Sequence, residues 1–330
     1  MTFEFDAYVT AALFDRSGRT LFALGDGSVR AVAGGGFVTV EAHDGAVLSA
    51  CAHPSGDGLL TGGDDGRVVW TRIEGEEIVG SVVAEVKGRW IDAVAASAES
   101  GLFAFSAGRD LHVRDSKDPA FARLFTHEKS VADVAFDPKG RRIATATYGG
   151  AALWYARIAD QKPVFLKWAG AHSLVAWSPD GKFLMSAMQE NSLHGWTVPD
   201  GKNMRMGGYP AKVKSMAFLS GGVMLATSGA NGAVIWPFSG ATGPMGKEAA
   251  EVGFDQSSLV TRVAGTPKAS VLAGGTDDGR VWAADLKSGR MDKLKSEKGA
   301  PISALAITAD GRRIAWGDEE GGAGVLEREL

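Results

Sequence analysis

The sequence predicts an all-β chain made of a short antiparallel meander repeated about eight times, and three observations predict it. Glycine comes first: 45 of 330 residues is roughly twice the usual share of about 7%. Proline is ordinary at 11 and no low-complexity tract is present, so the excess points to regularly spaced turns. The second observation is a tight turn ending in Gly after an apolar run. The third is a further turn about nine residues later that stays in phase with the first along the whole chain.

In chain order, the first turn reads FDRSG at 14–18, HPSGDG at 53–58, SAESG at 97–101, DPKG at 137–140, SPDG at 178–181, LSGG at 219–222, TPKA at 266–269 and TADG at 308–311. The second falls at Asp26-Gly27, Asp65-Gly66, Arg109-Asp110, Gly149-Gly150, Glu190-Asn191, Asn231-Gly232, Asp278-Gly279 and Glu320-Gly321, with a mean period of about 42 residues. Between these turns lie runs of four to eight residues rich in Val, Leu, Ala and aromatics, such as RVVWTRI at 67–73 and RRIATAT at 141–147, which read as strands. Asp-Gly and Asn-Gly supply the positive φ that two-residue hairpin loops need. One such meander cannot bury both faces, so the units must stack on each other. A period of about 40 to 45 with four strands per unit marks propeller blades.

The units begin near Tyr8, Val47, Ile91, Val131, Leu174, Val213, Leu259 and Ile302, and the last lacks an outer strand. The expectation is therefore one domain over 1–330, an eight-bladed propeller of four-stranded antiparallel blades. TFEFD at 2–6 would complete the last blade and close it. The alternative is seven blades, with the N-terminal unit as an appendage.

These residues resemble the WD-repeat β-propeller family. AHDGAVLSACAHPSGDGLLTGGDDGRVVW at 42–70 is similar to that family's order of histidine, apolar strand, turn, small-residue strand, Asp-Gly turn and terminal Trp, and HEKSVADVAFDPKGRRIATATYGGAALW at 127–154 repeats it. The resemblance implies strands a to d from the axis outward, with the b–c and d–a loops on one face. It also implies a His, Ser/Thr, Trp, Asp hydrogen-bond tetrad. No Trp-Asp dipeptide occurs, however, and only Trp196 falls in the family's register. Trp70, Trp154 and Trp236 fall one residue early, which turns a ring to the other face of its strand. The tetrad is therefore not expected in most blades.

Composition excludes several functions. A formal charge of -4 opposes nucleic-acid binding, which exploits a positive excess. Cys51 is the single cysteine, so no intrachain disulfide is expected, and the acidic start MTFEFDAYVTAALFD lacks a basic leader region; a cytoplasmic location is the expectation. Residues 215–246 carry no charge, but Gly, Pro and Asn-Gly break them into strand-sized pieces, so no membrane insertion is expected.

No catalytic residue, metal site or cofactor is expected. His43, His53, His112, His127, His172 and His194 are scattered with no zinc-ligand spacing, and His43 and His127 take the family's structural d–a position. Cys51 lies in an apolar run and reads as a small buried residue. No phosphate loop, nucleophile elbow or dinucleotide fingerprint is present. The expected function is thus a non-enzymatic platform for a protein or peptide, the alternative being an enzyme or a small-molecule or metal binder using the axial channel.

The candidate partner-binding residues come from charge and aromatic placement. Asp26, Asp64, Asp65, Asp277, Asp278, Asp318, Glu319 and Glu320 occupy b–c turns of units seven, eight, one and two. In a closed ring they would form an acidic arc that attracts a basic segment. Against that stands the local use of Asp, which bonds its own turn. Lys87, Arg89 and Arg109 offer a basic counterweight, and Trp90, in a d–a connection, is a candidate anchor; Trp168 is a weaker one. Trp177 and Phe136 read as core, Trp316 as a filler beside the closure, and the uncharged blade six as a further candidate apolar patch.

Overall fold

The computed structural model describes residues 1–255 and 257–329. Apart from one 3-10 turn at Ser220–Gly222, its regular elements are all strands, arranged as antiparallel meanders in seven sheets, six of four strands and one of six. The expected count of eight blades is therefore corrected to seven. Units four and five do not form separate sheets. Arg142–Tyr155 and Val164–Trp177 are continuous strands of 14 residues each, running through positions where the repeat places a turn and a d–a connection. The cause is local: Tyr148-Gly149-Gly150 replaces the usual Asp-Gly turn, and Tyr148 pairs with Ala171 instead of ending the hairpin. The N-terminal unit is not the source of the lower count.

The chain divides into two compact units, one of residues 13–177 and one of residues 1–12 with 178–330. In the first, Val47–Ala52, Leu59–Gly63, Arg67–Glu74 and Glu77–Glu85 form one four-stranded sheet. Ala93–Ser97, Leu102–Ala107, Asp110–Asp115 and Ala122–Thr126 form the next. Glycine closes the turns where no side chain fits: Gly66 has φ 82°, and a Cβ there would lie 2.4 Å from the Val86 carbonyl oxygen. Cores form between successive sheets. Leu60, Val68 and Ile91 meet Phe103 and Phe105, while Leu111, Val113 and Phe125 meet Ile143, Ala152 and Trp154. Each fully buried large side chain contributes about 1.5–3 kcal/mol.

In the second unit, Val260–Gly265, Val271–Thr276, Val281–Asp285 and Met291–Lys295 form one sheet, and Ile302–Ile307, Arg313–Asp318 and Gly322–Glu327 form three strands of another. Its fourth strand is N-terminal, as expected: Thr2–Glu4 pairs with Gly322 to Gly324. The Phe5 N–H donates to the Gly321 carbonyl at 2.8 Å. Phe3 and Phe5 are buried, and alternation puts both on one face of the strand. Trp316 and Trp177 are buried, as the sequence suggests, while Phe136 is half-buried against the core. The uncharged stretch is indeed strand-sized pieces, Met216–Leu219, Met224–Thr227 and Ala233–Pro237. Its exposed large apolar residues are Val223 and Met245. No helix among the described residues is long and apolar enough to cross a membrane.

First strands are tied to the sheet that follows by polar side chains. Ser49 Oγ donates to the Ile91 carbonyl at 3.3 Å, while Asp133 Oδ2 accepts the Val175 N–H at 2.8 Å within the six-stranded sheet. In the other unit, Ser215 Oγ accepts the Val263 N–H at 2.8 Å, Thr261 Oγ1 donates to the Ile302 carbonyl at 2.7 Å and Ser303 Oγ donates to the Val9 carbonyl at 2.7 Å. A hydroxyl serves in each case except Asp133.

Candidate functional site

The candidate residues lie where second strands turn into third strands and where fourth strands lead into the next sheet. In the unit of residues 13–177, Asp26 is exposed and caps its own turn, accepting from Ser28 N at 2.9 Å and Ser28 Oγ at 2.7 Å. Asp64 is half-buried. Asp65 is turned inward: its side chain is 9% exposed. Its Oδ1 accepts the Arg67 N–H and lies 3.0 Å from His43 Nδ1, whose Nε2 is 2.8 Å from Thr61 Oγ1. Burial pushes this carboxyl up, but the Arg67 backbone and the His43 ring outweigh it and hold Asp65 below the usual range.

Trp90 and Arg109 face solvent. Trp90 is 63% exposed, although the next residue is fixed by the Ile91 N–H donating to the Gly63 carbonyl at 3.0 Å. Lys87, Arg89 and Arg109 are exposed. The Arg109 carbonyl accepts from His127 N at 2.9 Å and lies 3.1 Å from His127 Nδ1. The backbone is thus anchored while the guanidinium remains outside. Trp168 is half-buried.

In the other unit, Asp277, Glu319 and Glu320 are exposed, whereas Asp278 and Asp318 serve the fold. Asp278 accepts from Thr276 Oγ1 at 2.7 Å and Ser258 Oγ at 2.9 Å, and pairs with Arg280 at 2.8 Å and Lys298 at 3.3 Å. Burial raises its pKa, but these donors prevail and hold it well below the carboxylate range. Asp318 Oδ1 accepts the N–H of Glu320 and of Gly322 at 3.0 and 2.8 Å. Local bonding of Asp, the competing account of the acidic turns, therefore describes Asp26, Asp65, Asp278 and Asp318.

The sequence reading missed a buried aromatic network. Trp154 Nε1 donates to His127 Nε2 at 2.9 Å, and the same nitrogen is 3.0 Å from Thr145 Oγ1. Burial lowers the His127 pKa, so the ring is neutral with its proton on Nδ1, facing the Arg109 carbonyl. In the other unit, Trp236 Nε1 donates to Tyr209 Oη at 2.6 Å, which is 2.7 Å from Thr227 Oγ1. The expectation that a one-residue offset turns these rings away is corrected for Trp154 and Trp236. It holds for Trp70, which stacks on His53 at 4.1 Å and donates to the Asp57 carbonyl. The missed signal was Tyr209, standing where His127 stands two repeats earlier in the pattern of aromatic partner, Thr and Trp.

Burial pushes the Cys51 thiol up to about 12, and among the described residues no group of three His, Cys, Asp or Glu side chains could hold a metal ion. The Asp133 carboxyl is raised to about 6 by burial, despite the Val175 and Val134 N–H groups that oppose the shift.

Two segments, 37–70 and 121–154, match the family described as WD domain, G-beta repeat. They hold His43 with Thr61 and His127 with Thr145 and Trp154. No curated protein matches the chain. Among solved structures, it is similar to the computationally designed Ika8 protein at 17% identity, over 98% of each chain, with a TM-score of 0.78; at that identity the likeness concerns the fold alone. Two of the repeats are thus similar to WD repeats, and the antiparallel four-stranded sheets are of the kind that builds a β-propeller.

Proposed function

We propose that the chain is a non-enzymatic platform that binds a protein or peptide through the loops carrying Trp90 and the exposed acids. The observation that carries this reading is Trp90 itself: an indole 63% exposed on a segment whose backbone is fixed, next in sequence to the exposed Arg89. Aromatic and Arg side chains on rigid loops are the usual anchors of protein interfaces. Asp277, Glu319 and Glu320 remain available to attract a basic segment, whereas Asp26, Asp65, Asp278 and Asp318 support the turns. Repeat folds of this kind generally serve as interaction scaffolds, which supports the reading by analogy.

The test is affinity capture with wild type, with Trp90→Ala, and with a variant in which Asp277, Glu319 and Glu320 become Lys, all matched by circular dichroism. A partner retained by wild type in a salt-sensitive way and lost from both variants is the expected outcome. Retention unchanged by either variant overturns the loop assignment.

A further inference from the structure

A pocket of about 500 Å³, whose lining does not include Trp90, opens in the unit of residues 13–177 between the His127 connection and the strand Val164–Trp177. Its walls are Tyr148, 65% exposed, and Phe165, 42% exposed, with Pro163 beside them and Trp154 at the floor. The floor is already satisfied: the Trp154 N–H is held by His127, and the His127 ring by Thr145 and the Arg109 carbonyl. An occupant need not supply hydrogen bonds there, so the floor suits an apolar ring. The rim is charged differently. Lys129 and Lys167 place two ammonium groups there against the one carboxylate of Glu128.

The opening is built into the backbone. Tyr148 pairs with Ala171, but Gly150 pairs with Lys167, so the facing strand carries extra residues at 168–170. This irregularity holds Tyr148 out at the pocket edge. Gly150, at φ 145°, allows the strands to approach, since a Cβ there would meet the Leu166 carbonyl oxygen at 2.1 Å. The pocket is thus a consequence of the same anomaly that removes one sheet from the count.

We propose that this pocket binds an acidic peptide by enclosing one of its aromatic side chains between Tyr148 and Phe165, while flanking carboxylates meet Lys129 and Lys167. The pocket lies in the size range of ligand sites, which combine apolar walls with a few polar groups. It exceeds what one ring fills, leaving room for the neighbouring residues of a chain. The rim charge requires those neighbours to be acidic.

The experiment uses the full chain and a fluorescently labelled peptide, acetyl-Glu-Glu-Phe-Glu-Glu-amide, read by anisotropy. Lys-Lys-Phe-Lys-Lys and Glu-Glu-Ala-Glu-Glu versions are the controls, and phenylacetate is the free small-molecule competitor. Saturable binding of the first peptide alone is expected, weakened about tenfold or more by Phe165→Ala, by Tyr148→Ala and by Lys129→Glu with Lys167→Glu. Phe165 and Tyr148 are exposed, so these variants should keep the wild-type dichroism. Trp90→Ala should leave the affinity unchanged, which separates this site from the loop platform. No saturation at millimolar peptide, equal binding of the Lys-flanked peptide, affinity indifferent to Phe165→Ala, or binding of phenylacetate without the peptide would each overturn the proposal.

Discussion

The indole N–H of Trp154 ends on Nε2 of His127, 2.9 Å away, so a ring near the end of the strand Arg142–Tyr155 fixes the tautomer of a histidine on the connection from the preceding sheet. That contact joins the core around Phe125, which stacks on Trp154 at 4.6 Å, to the loop that presents Arg109.

Removing either partner should have unequal consequences. Trp154→Phe keeps most of the ring and leaves His127 Nε2 beside Thr145, so the cost should be about 1–2 kcal/mol. His127→Ala leaves the Trp154 N–H buried without an acceptor and opens a cavity, and should cost about 2–4 kcal/mol. Urea unfolding of both variants checks the order, and equal losses would show that packing alone matters here.

Asp133 predicts a pH dependence of stability. Its pKa is raised from 3.8 to about 6 in the folded chain, so between these values the folded state binds more protons than the unfolded one. Stability therefore falls as pH rises through that window, and the penalty is full above about pH 6. Asp133→Asn keeps an acceptor for the Val175 N–H and removes the charge. It should raise stability at pH 7.5 by up to about 3 kcal/mol, with the gain fading to nothing near pH 4. Thermal melts across pH 4 to 8 test this; a gain independent of pH would refute the ionisation argument.

The N-terminal strand should matter beyond its length. Phe5 is 3% exposed and its N–H is bonded to Gly321, so Phe5→Ala should cost about 3–5 kcal/mol. Ser303→Ala, which loses the hydroxyl that donates to the Val9 carbonyl at 2.7 Å and lies 3.3 Å from the Gly317 carbonyl, should cost about 1 kcal/mol. Denaturant midpoints of the two variants give the comparison, and a small loss for Phe5→Ala would mean that the strand docks weakly.

Arg280 sits between Asp278 and Asp255 with a side chain only 7% exposed. Arg280→Met should destabilise by about 2–4 kcal/mol, because it leaves Asp255 without its cation and Asp278 with Lys298 alone. Asp278→Lys should be nearly as harmful, whereas Asp277→Lys should change stability by less than about 0.5 kcal/mol. Calorimetry of the three separates acids that hold the turn from acids that face outward.

Much of this architecture was legible because strand and turn preferences are local. The paired turn markers located the meanders, the uncharged stretch at 215–246 divided into strands where Gly and Pro required it, and TFEFD supplied the missing strand for the last sheet. Local chemistry also suggested that Asp in these turns bonds its own backbone, as Asp26 and Asp318 do.

What the sequence by itself determined was the repeat: its period, its strands and the glycines where φ must be positive, all decided within a few residues of chain. The tertiary structure alone decided how many sheets result, because pairing of Tyr148 with Ala171 depends on a strand more than twenty residues away. It alone decided that Asp278 turns inward while Asp277 does not, since Arg280, Ser258 and Lys298 must converge on the same carboxylate. It likewise turned Trp154 onto His127 despite a register that suggested otherwise. Pairing and burial are properties of distant segments brought together, and a one-residue offset in sequence does not state which neighbour will be there to satisfy a buried N–H.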